Sequence, residues 1–214
     1  TVEGWQADPL PSGQTFVHDG TGGADDTGGV VFTVPADQGP GTVSIFADSG
    51  ASSGAFMGDY GAIGTGVSGI YFDFYVEEDA QVPTSLNLYL ISDTTGETWY
   101  YDIAQTQTLT DGWNRYGANV NSSSESDPLF GTWTGFGVSD WAGTYEDIDE
   151  IGISLTYLSP GGIQTYAIDN FSLNDNPFLV PEPETYAFIA MALLSLAFVY
   201  RKRLEEQFQV AMAH

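Results

Sequence analysis

Cysteine is absent from the 214 residues, and cations nearly so: four Lys and Arg stand against 29 Asp and Glu, and three of the four, Arg201, Lys202 and Arg203, are adjacent. Through Val180 there are 25 acids and one cation, Arg115. A net charge of −25 repels nucleic acid and anionic lipid and favours divalent cations and neutral or cationic partners, so nucleic-acid binding is excluded. Without cysteine an exported chain has no disulfide staples, and rigidity comes from core packing, metal or neighbours in an assembly. No helical period occurs before residue 180. Nor does a start Met or secretory leader precede Thr1, which reads as a mature N-terminus after export.

What is present up to residue 174 is β-type. Residues 1 to 29 are rich in Gly, Asp and Thr and read as loop with one short strand, Gln14 to His18. Val30 to Val34 and Thr42 to Ala47 are strands separated by the turn cluster PADQGPG, and the Gly- and Ser-rich stretch from Gly50 to Gly69 is a long connection. Ile70, Phe72, Phe74 and Val76 alternate with Tyr71, Asp73, Tyr75 and Glu77, the period of a half-buried strand. Leu86, Leu88 and Leu90 repeat it, TTG turns, and Glu97 to Ile103 returns as a hairpin. Gly112 to Val120, Thr132 to Val138, Glu150 to Leu158 and Ile163 to Leu173 bring the total to nine or ten strands. Short strands with turn signals at this spacing predict an all-β fold, a two-sheet antiparallel sandwich over residues 1–174.

After a linker, residues 175–181, the chain changes character. Pro181, Glu182 and Pro183 precede an apolar run from Tyr186 to Tyr200, and Arg201, Lys202 and Arg203 follow it. Fifteen residues make about 22 Å of helix, against roughly 30 Å of bilayer hydrocarbon. Basic flanks settle at the cytoplasmic side of a membrane, which would leave Thr1 to Leu179 outside. Tyr200, Leu204, Phe208 and Met212 continue as an every-fourth stripe, so residues 182–214 read as one hydrophobic, then amphipathic, helix about 48 Å long.

The ordered parts Pro181-Glu182-Pro183, apolar helix and Arg201-Lys202-Arg203 resemble the PEP-CTERM sorting signal of Gram-negative surface proteins. That resemblance implies processing by an exosortase-type enzyme, at least transient membrane contact, and delivery to the outer envelope or extracellular matrix, often where exopolysaccharide is made. The strand series from GIYFDFYV to AIDNFSL resembles jelly-roll carbohydrate-binding modules. In such modules an Asp on the closing strand helps hold a structural calcium, which here implies Asp169 with Asp19, Asp25 and Asp26 in a flexible Gly-rich loop. Hard oxygen ligands suit Ca²⁺; zinc would find no Cys and only His18 and His214.

On parity, Ile163 to Leu173 puts Ala167, Phe171 and Leu173 on one face with Asp169 among them, and an inward carboxylate needs a partner or a metal. Alternatively Asp169 caps backbone amides. Phe130 to Asp147 interleaves Trp133, Phe136, Trp141 and Tyr145 with small residues; such rings stack on sugars, with Asp140 accepting hydroxyl bonds, or pack in the core. Trp99 and Tyr101 form a second pair of one parity. In EDIDE, Glu146, Ile148 and Glu150 share a parity, so the three-carboxylate pattern of jelly-roll glycoside hydrolases fails.

Three functions follow in order. The first is a non-enzymatic surface or matrix protein, homo-oligomeric or filamentous through its tail, where small and apolar Ala187, Ala190, Leu194, Ala197, Leu204 and Phe208 let helices approach closely. The second is a carbohydrate-binding protein tethering exopolysaccharide, and the third a glycoside hydrolase.

Overall fold

The computed structural model describes residues 4–10, 12–20, 23–24, 28–63, 66–78, 80–121, 133–136, 140–159 and 161–174. Residues 1–175 form one compact unit. The linker, the sorting motif at Pro181, Glu182, Pro183, Arg201, Lys202 and Arg203, and the assembly positions Ala187, Ala190, Leu194, Ala197, Leu204 and Phe208 lie outside the described residues.

Eleven strands, two single-turn α-helices and a 3-10 turn at Ala51–Gly54 are described. The strands and α-helices run β1 Gln6–Asp8, β2 Thr15–Asp19, β3 Gly29–Val34, β4 Gly41–Ala47, β5 Gly69–Val76, β6 Ser85–Ser92, β7 Glu97–Asp102, α1 Ile103–Thr106, β8 Gly112–Asn119, β9 Thr134–Phe136, α2 Trp141–Tyr145, β10 Glu150–Tyr157 and β11 Gln164–Leu173. The strands build a jelly-roll-like sandwich of two antiparallel sheets, ordered β1-β4-β10-β6-β7-β9 and β2-β3-β11-β5-β8. β3 and β4, neighbours in sequence, lie in opposite sheets, so the turn cluster between them carries the chain across the sandwich.

Alternation explains the core. On β5, Ile70, Phe72, Phe74 and Val76 are fully buried, and so are Leu86, Leu88 and Leu90 on β6. Two aromatic clusters close the sandwich: Trp5, Phe56 and Phe171 pack with ring centroids 4.7–6.1 Å apart, and Trp99, Trp133 and Trp141 at 5.1–5.2 Å. The β6–β7 hairpin closes as expected, with Gly96 at φ +72° donating its N–H to the Ser92 carbonyl at 2.9 Å.

Three expectations change. The loop of residues 1–29 contains a further strand, β1, which adds to β4 although its sequence QAD has no apolar alternation. Helix enters before residue 180, as single turns too short for any period; Asp102 and Asp140 cap them by accepting N–H bonds from Gln105 and Gly143. The closing strand does not keep one parity. A bulge shifts the register between Asp169 and Ser172, with Asn170 at φ +48°. Tyr166 and Ile168 face the core before it and Phe171 after it, so Ala167 and Asp169 lie on the opposite face from Phe171.

Candidate functional site

The six-stranded sheet turns its second parity outward. Strand register lines up Gln6, Phe46, Gly152, Tyr89, Tyr100 and Thr134 in one row across all six strands. Six strands at about 4.8 Å spacing make that row about 24 Å long. Beside it runs a polar row, Asp8, Ser44, Ser154, Asn87 and Asp102. On the other side run Glu150, Ile91, Thr98 and Phe136.

Gly152 makes this face what it is. A Cβ there would lie 2.6 Å from the Tyr89 Cζ and hydroxyl and 2.7 Å from the Ile45 carbonyl oxygen. The Tyr89 ring therefore lies down across β10, only 4 % exposed, and forms a floor. Its hydroxyl donates to Glu150 Oε1 at 2.8 Å. Burial, then the charge and hydrogen bond of Glu150, push the Tyr89 pKa far up. Burial also raises that of Glu150, against the lowering bond from Tyr89, with Asp48, Asp93 and Asp8 raising it further.

Tyr100 packs 6.0 Å from Tyr89 at 45° and stands 39 % exposed; Phe136 on the edge strand is 80 % exposed. Next to them a depression of about 350 Å³ is lined by Asn87, Tyr100, Asp102, Gln105, Thr106 and Thr134. Its acceptors and donors are pre-set: Asn87 Nδ2 donates to Ser85 Oγ at 2.8 Å, and Gln105 Nε2 to Asp102 Oδ2 at 2.7 Å.

The residues singled out from sequence sit elsewhere. Trp133, Trp141 and Tyr145 are 3 %, 2 % and 7 % exposed, so none offers a face to a sugar. Their polar ends are used internally: Trp133 Nε1 donates to Asn119 O at 3.0 Å, Trp141 Nε1 to Asn121 O at 2.7 Å, and the Tyr145 hydroxyl to Val67 O at 2.9 Å. Asp140 caps α2, and its own N–H donates to the buried Glu97 carboxylate, which also takes Trp99 Nε1 at 3.0 Å. Trp99 and Tyr101 are core residues, and the outward ring is Tyr100 between them. The EDIDE acids part company: Glu146 closes α2, Asp149 Oδ2 accepts from Asp93 N–H at 2.7 Å, and Glu150 faces outward to Tyr89.

Asp169 is 3 % exposed, with Oδ2 accepting from Ala24 N–H at 2.8 Å and Oδ1 from Asn170 N–H at 2.6 Å. A Cβ on Gly23 would strike Asp169 Oδ2 and lie 3.2 Å from the Gly28 carbonyl oxygen. The carboxylate thus caps two backbone amides, the alternative that its sequence position offered, with the Gly28 carbonyl oxygen close by; Ca²⁺ takes about six to eight such oxygens. Asp19 ends β2 nearby in the chain, while Asp25 and Asp26 lie outside the described residues. Among the described residues no three His, Cys, Asp or Glu side chains group as a metal site. Among them, too, no helix is long and apolar enough to cross a membrane.

No protein-family model and no curated protein matches the chain. Several solved structures share its outline. One belongs to a study of promiscuous specificity in carbohydrate-binding modules of the β-sandwich superfamily: 15 % identity over 82 % of this chain and 58 % of that one, TM-score 0.48. Another is an exo-β-agarase, at 17 % identity over 79 % of this chain and 24 % of that one, TM-score 0.47. A third is a family 11 carbohydrate-binding module from Clostridium thermocellum, in complex with a β-1,3-1,4-mixed-linked tetrasaccharide, at 14 % over 79 % and 86 %, TM-score 0.43. The chain spans little more than half of the first and a quarter of the second. At such identities nothing those proteins bind carries over to this one.

Proposed function

We propose that the chain is an exported, non-catalytic domain that binds neutral polysaccharide on the outward face of its six-stranded sheet. The supporting observation is Tyr100 and Phe136, exposed at 39 % and 80 %, beside the polar depression of Asn87, Asp102, Gln105 and Thr134. Exposed rings take the C–H faces of a pyranose, while amide, carboxylate and hydroxyl groups at the same level take its hydroxyls. The acidic surface directs the choice to neutral polymers, because an anionic one would meet 25 acids and a single cation through Val180. Of the two leading expectations, tethering polysaccharide has better support than a matrix filament, which draws only on residues 182–214.

Those residues supply the address in this reading: exosortase-type sorting to a Gram-negative surface, with the tail as anchor or assembly helix. Calcium belongs to the proposal as a structural ion. Bound at Asp169 and the Gly28 carbonyl, it would tie the closing strand to the loop before β3.

Titration calorimetry with neutral β-linked hexasaccharides of glucose, xylose and galactose tests the face. One of them gives a saturable heat, and Tyr100→Ala/Phe136→Ala weakens it at least tenfold. Two aromatic contacts near the middle of the range of about 0.5–1.5 kcal/mol each exceed the roughly 1.4 kcal/mol that a tenfold change requires. Silence from all three sugars, or a double variant binding like its parent, sinks the proposal.

A further inference from the structure

The other sheet also presents an outward row. Register lines up Val17, Val31, Ala167, Tyr75 and Trp113 across all five strands β2-β3-β11-β5-β8. Every member is apolar or aromatic. The core cluster takes the alternate positions, among them Val30, Phe32, Tyr166, Ile168, Phe74 and Tyr116, while Ala167, 5 % exposed, is buried in the middle of the row. Val17 is 53 % exposed at one end; at the other Tyr75 and Trp113, both partly exposed, lean together at 5.2 Å and 40°. Five strands give a stripe about 19 Å long. Thr15, Thr33 and Thr165 flank it on one side, and Asp169, Asp73 and Arg115 on the other. This is an apolar track between a hydroxyl row and a hydrogen-bonding charged row.

Charge selects the occupant. A second copy of the domain would bring another surface of 25 acids to one cation, and stacking two such faces sets like charges against each other. An anionic polymer meets the same repulsion. A cationic one would find Asp73 paired with Arg115, Asp169 bonded to the Ala24 and Asn170 amides, and only Val, Ala and aromatic side chains along the track itself. An uncharged polyhydroxylated chain fits each part, its ring faces on the track and its hydroxyl edges on the threonines and on Asp73 and Arg115. Each engagement along so short a track is weak, and a long chain, which offers many equivalent stretches to the same site, gains over a short sugar.

We propose that the outward face of the five-stranded sheet is a second polysaccharide site, specific for polymer over oligosaccharide, so that one domain cross-links two neutral chains. This rests on the reading above that the domain binds neutral polysaccharide. The two faces belong to different sheets, and each can fail without the other.

Trp113 provides its own probe. Of five tryptophans, Trp5, Trp99, Trp133 and Trp141 are 2–3 % exposed, and Trp113 alone is not buried. Acrylamide, an uncharged quencher, therefore reads chiefly Trp113. Hydroxyethyl cellulose, soluble xylan and soluble galactan are the polymers, with alginate as the anionic control. At least one neutral polymer lowers the quenching constant twofold or more, in the parent and equally in Tyr100→Ala/Phe136→Ala, while hexasaccharides and alginate leave it unchanged. Trp113→Phe abolishes the response. Trp113→Ala/Val17→Ser keeps the hexasaccharide affinity of the parent and no longer raises the viscosity of the polymer solution. If hexasaccharides bind but no polymer shields Trp113, the second site is overturned and the first stands. If polymers shield Trp113 while every hexasaccharide is silent, the first site falls and the second stands. If all are silent, both fall.

Discussion

Arg115 is the only cation in the first 180 residues, and its position permits a quantitative prediction. From β8 it reaches across β5 to the bulge of β11, where its Nη1 donates to the Asn170 carbonyl at 2.7 Å and its Nη2 to Ser172 Oγ at 2.8 Å. Asp73 lies 3.4 Å away, and Asn170 Nδ2 donates to Asp73 Oδ2 at 2.8 Å. The guanidinium fork thus holds a backbone carbonyl at a residue with φ +48°. Hydrogen bonds to charged groups contribute about 1.5–3 kcal/mol each. The Arg115 and Asp73 side chains are 18 % and 16 % exposed, so the lower end applies to both bonds and the ion pair adds little. Arg115→Met, which keeps the apolar stem, should cost about 3 kcal/mol. In a unit of this size that lowers Tm by about 6–12 °C, measured by calorimetry. Arg115→Lys recovers less than half, because an ammonium cannot hold both acceptors at the fork's geometry. The loss should persist in 0.5 M NaCl, since a half-buried network is poorly screened. A Met variant melting within 2 °C of the parent would refute the reasoning, as would a loss that disappears in salt.

Other outcomes can be checked separately. Gly152→Ala must push the Tyr89 ring off β10 against the fixed Ile45 carbonyl; a loss of about 1–3 kcal/mol in urea unfolding is expected, together with weaker hexasaccharide binding. Glu150 has a pKa raised above its ordinary 4.5 by burial first and by Asp48, Asp93 and Asp8, so the folded state binds more protons than the unfolded one. Stability then falls as pH climbs from 4.5 through the folded value, and Glu150→Gln, which keeps an acceptor for Tyr89, should melt higher than the parent at pH 7 and alike below pH 4.5. Calcium at a hundredfold excess over its Kd should add about 2.7 kcal/mol to stability after EDTA treatment, and Asp169→Ala should remove the response; an unchanged melting point removes calcium from the reading.

Much of the fold was legible because alternation reports burial directly. GIYFDFYV and SLNLYLIS place their core residues correctly, since each lies in a strand whose parity is unbroken. The site was less legible for the same reason. In ETWYYD the eye goes to Trp99, yet parity relative to Leu88 and Leu90 sends Trp99 and Tyr101 inward and Tyr100 out. The signal was present in the pairing rather than in the residue type. Trp133, Trp141 and Tyr145 could not be placed from sequence. The turn of helix at Trp141 obeys no strand period, and aromatic rings between glycines read alike as exposed or as packed. Asn170 also escaped, because a bulge inserts one residue without a compositional mark, and that one residue reverses the face of everything after it. β1 is a strand only because β4 leaves it an edge to join.

The distribution of charge ties the two faces together. With 25 acids through Val180, a random scattering would put about one or two on the eleven positions of the two long rows. Neither long row contains one: Gln6, Phe46, Gly152, Tyr89, Tyr100 and Thr134 on one sheet, and Val17, Val31, Ala167, Tyr75 and Trp113 on the other. Acids stand in the adjacent rows instead, Asp8, Asp102 and Glu150 beside the first and Asp73 and Asp169 beside the second. A carboxylate under a bound sugar ring would lose its water without a matching donor, at a cost of several kcal/mol. One residue to the side, it keeps its water until a hydroxyl replaces it. Self-repulsion keeps such domains apart in solution, and on the proposed reading an uncharged polymer lying along the neutral rows would bring two of them close without adding to that charge.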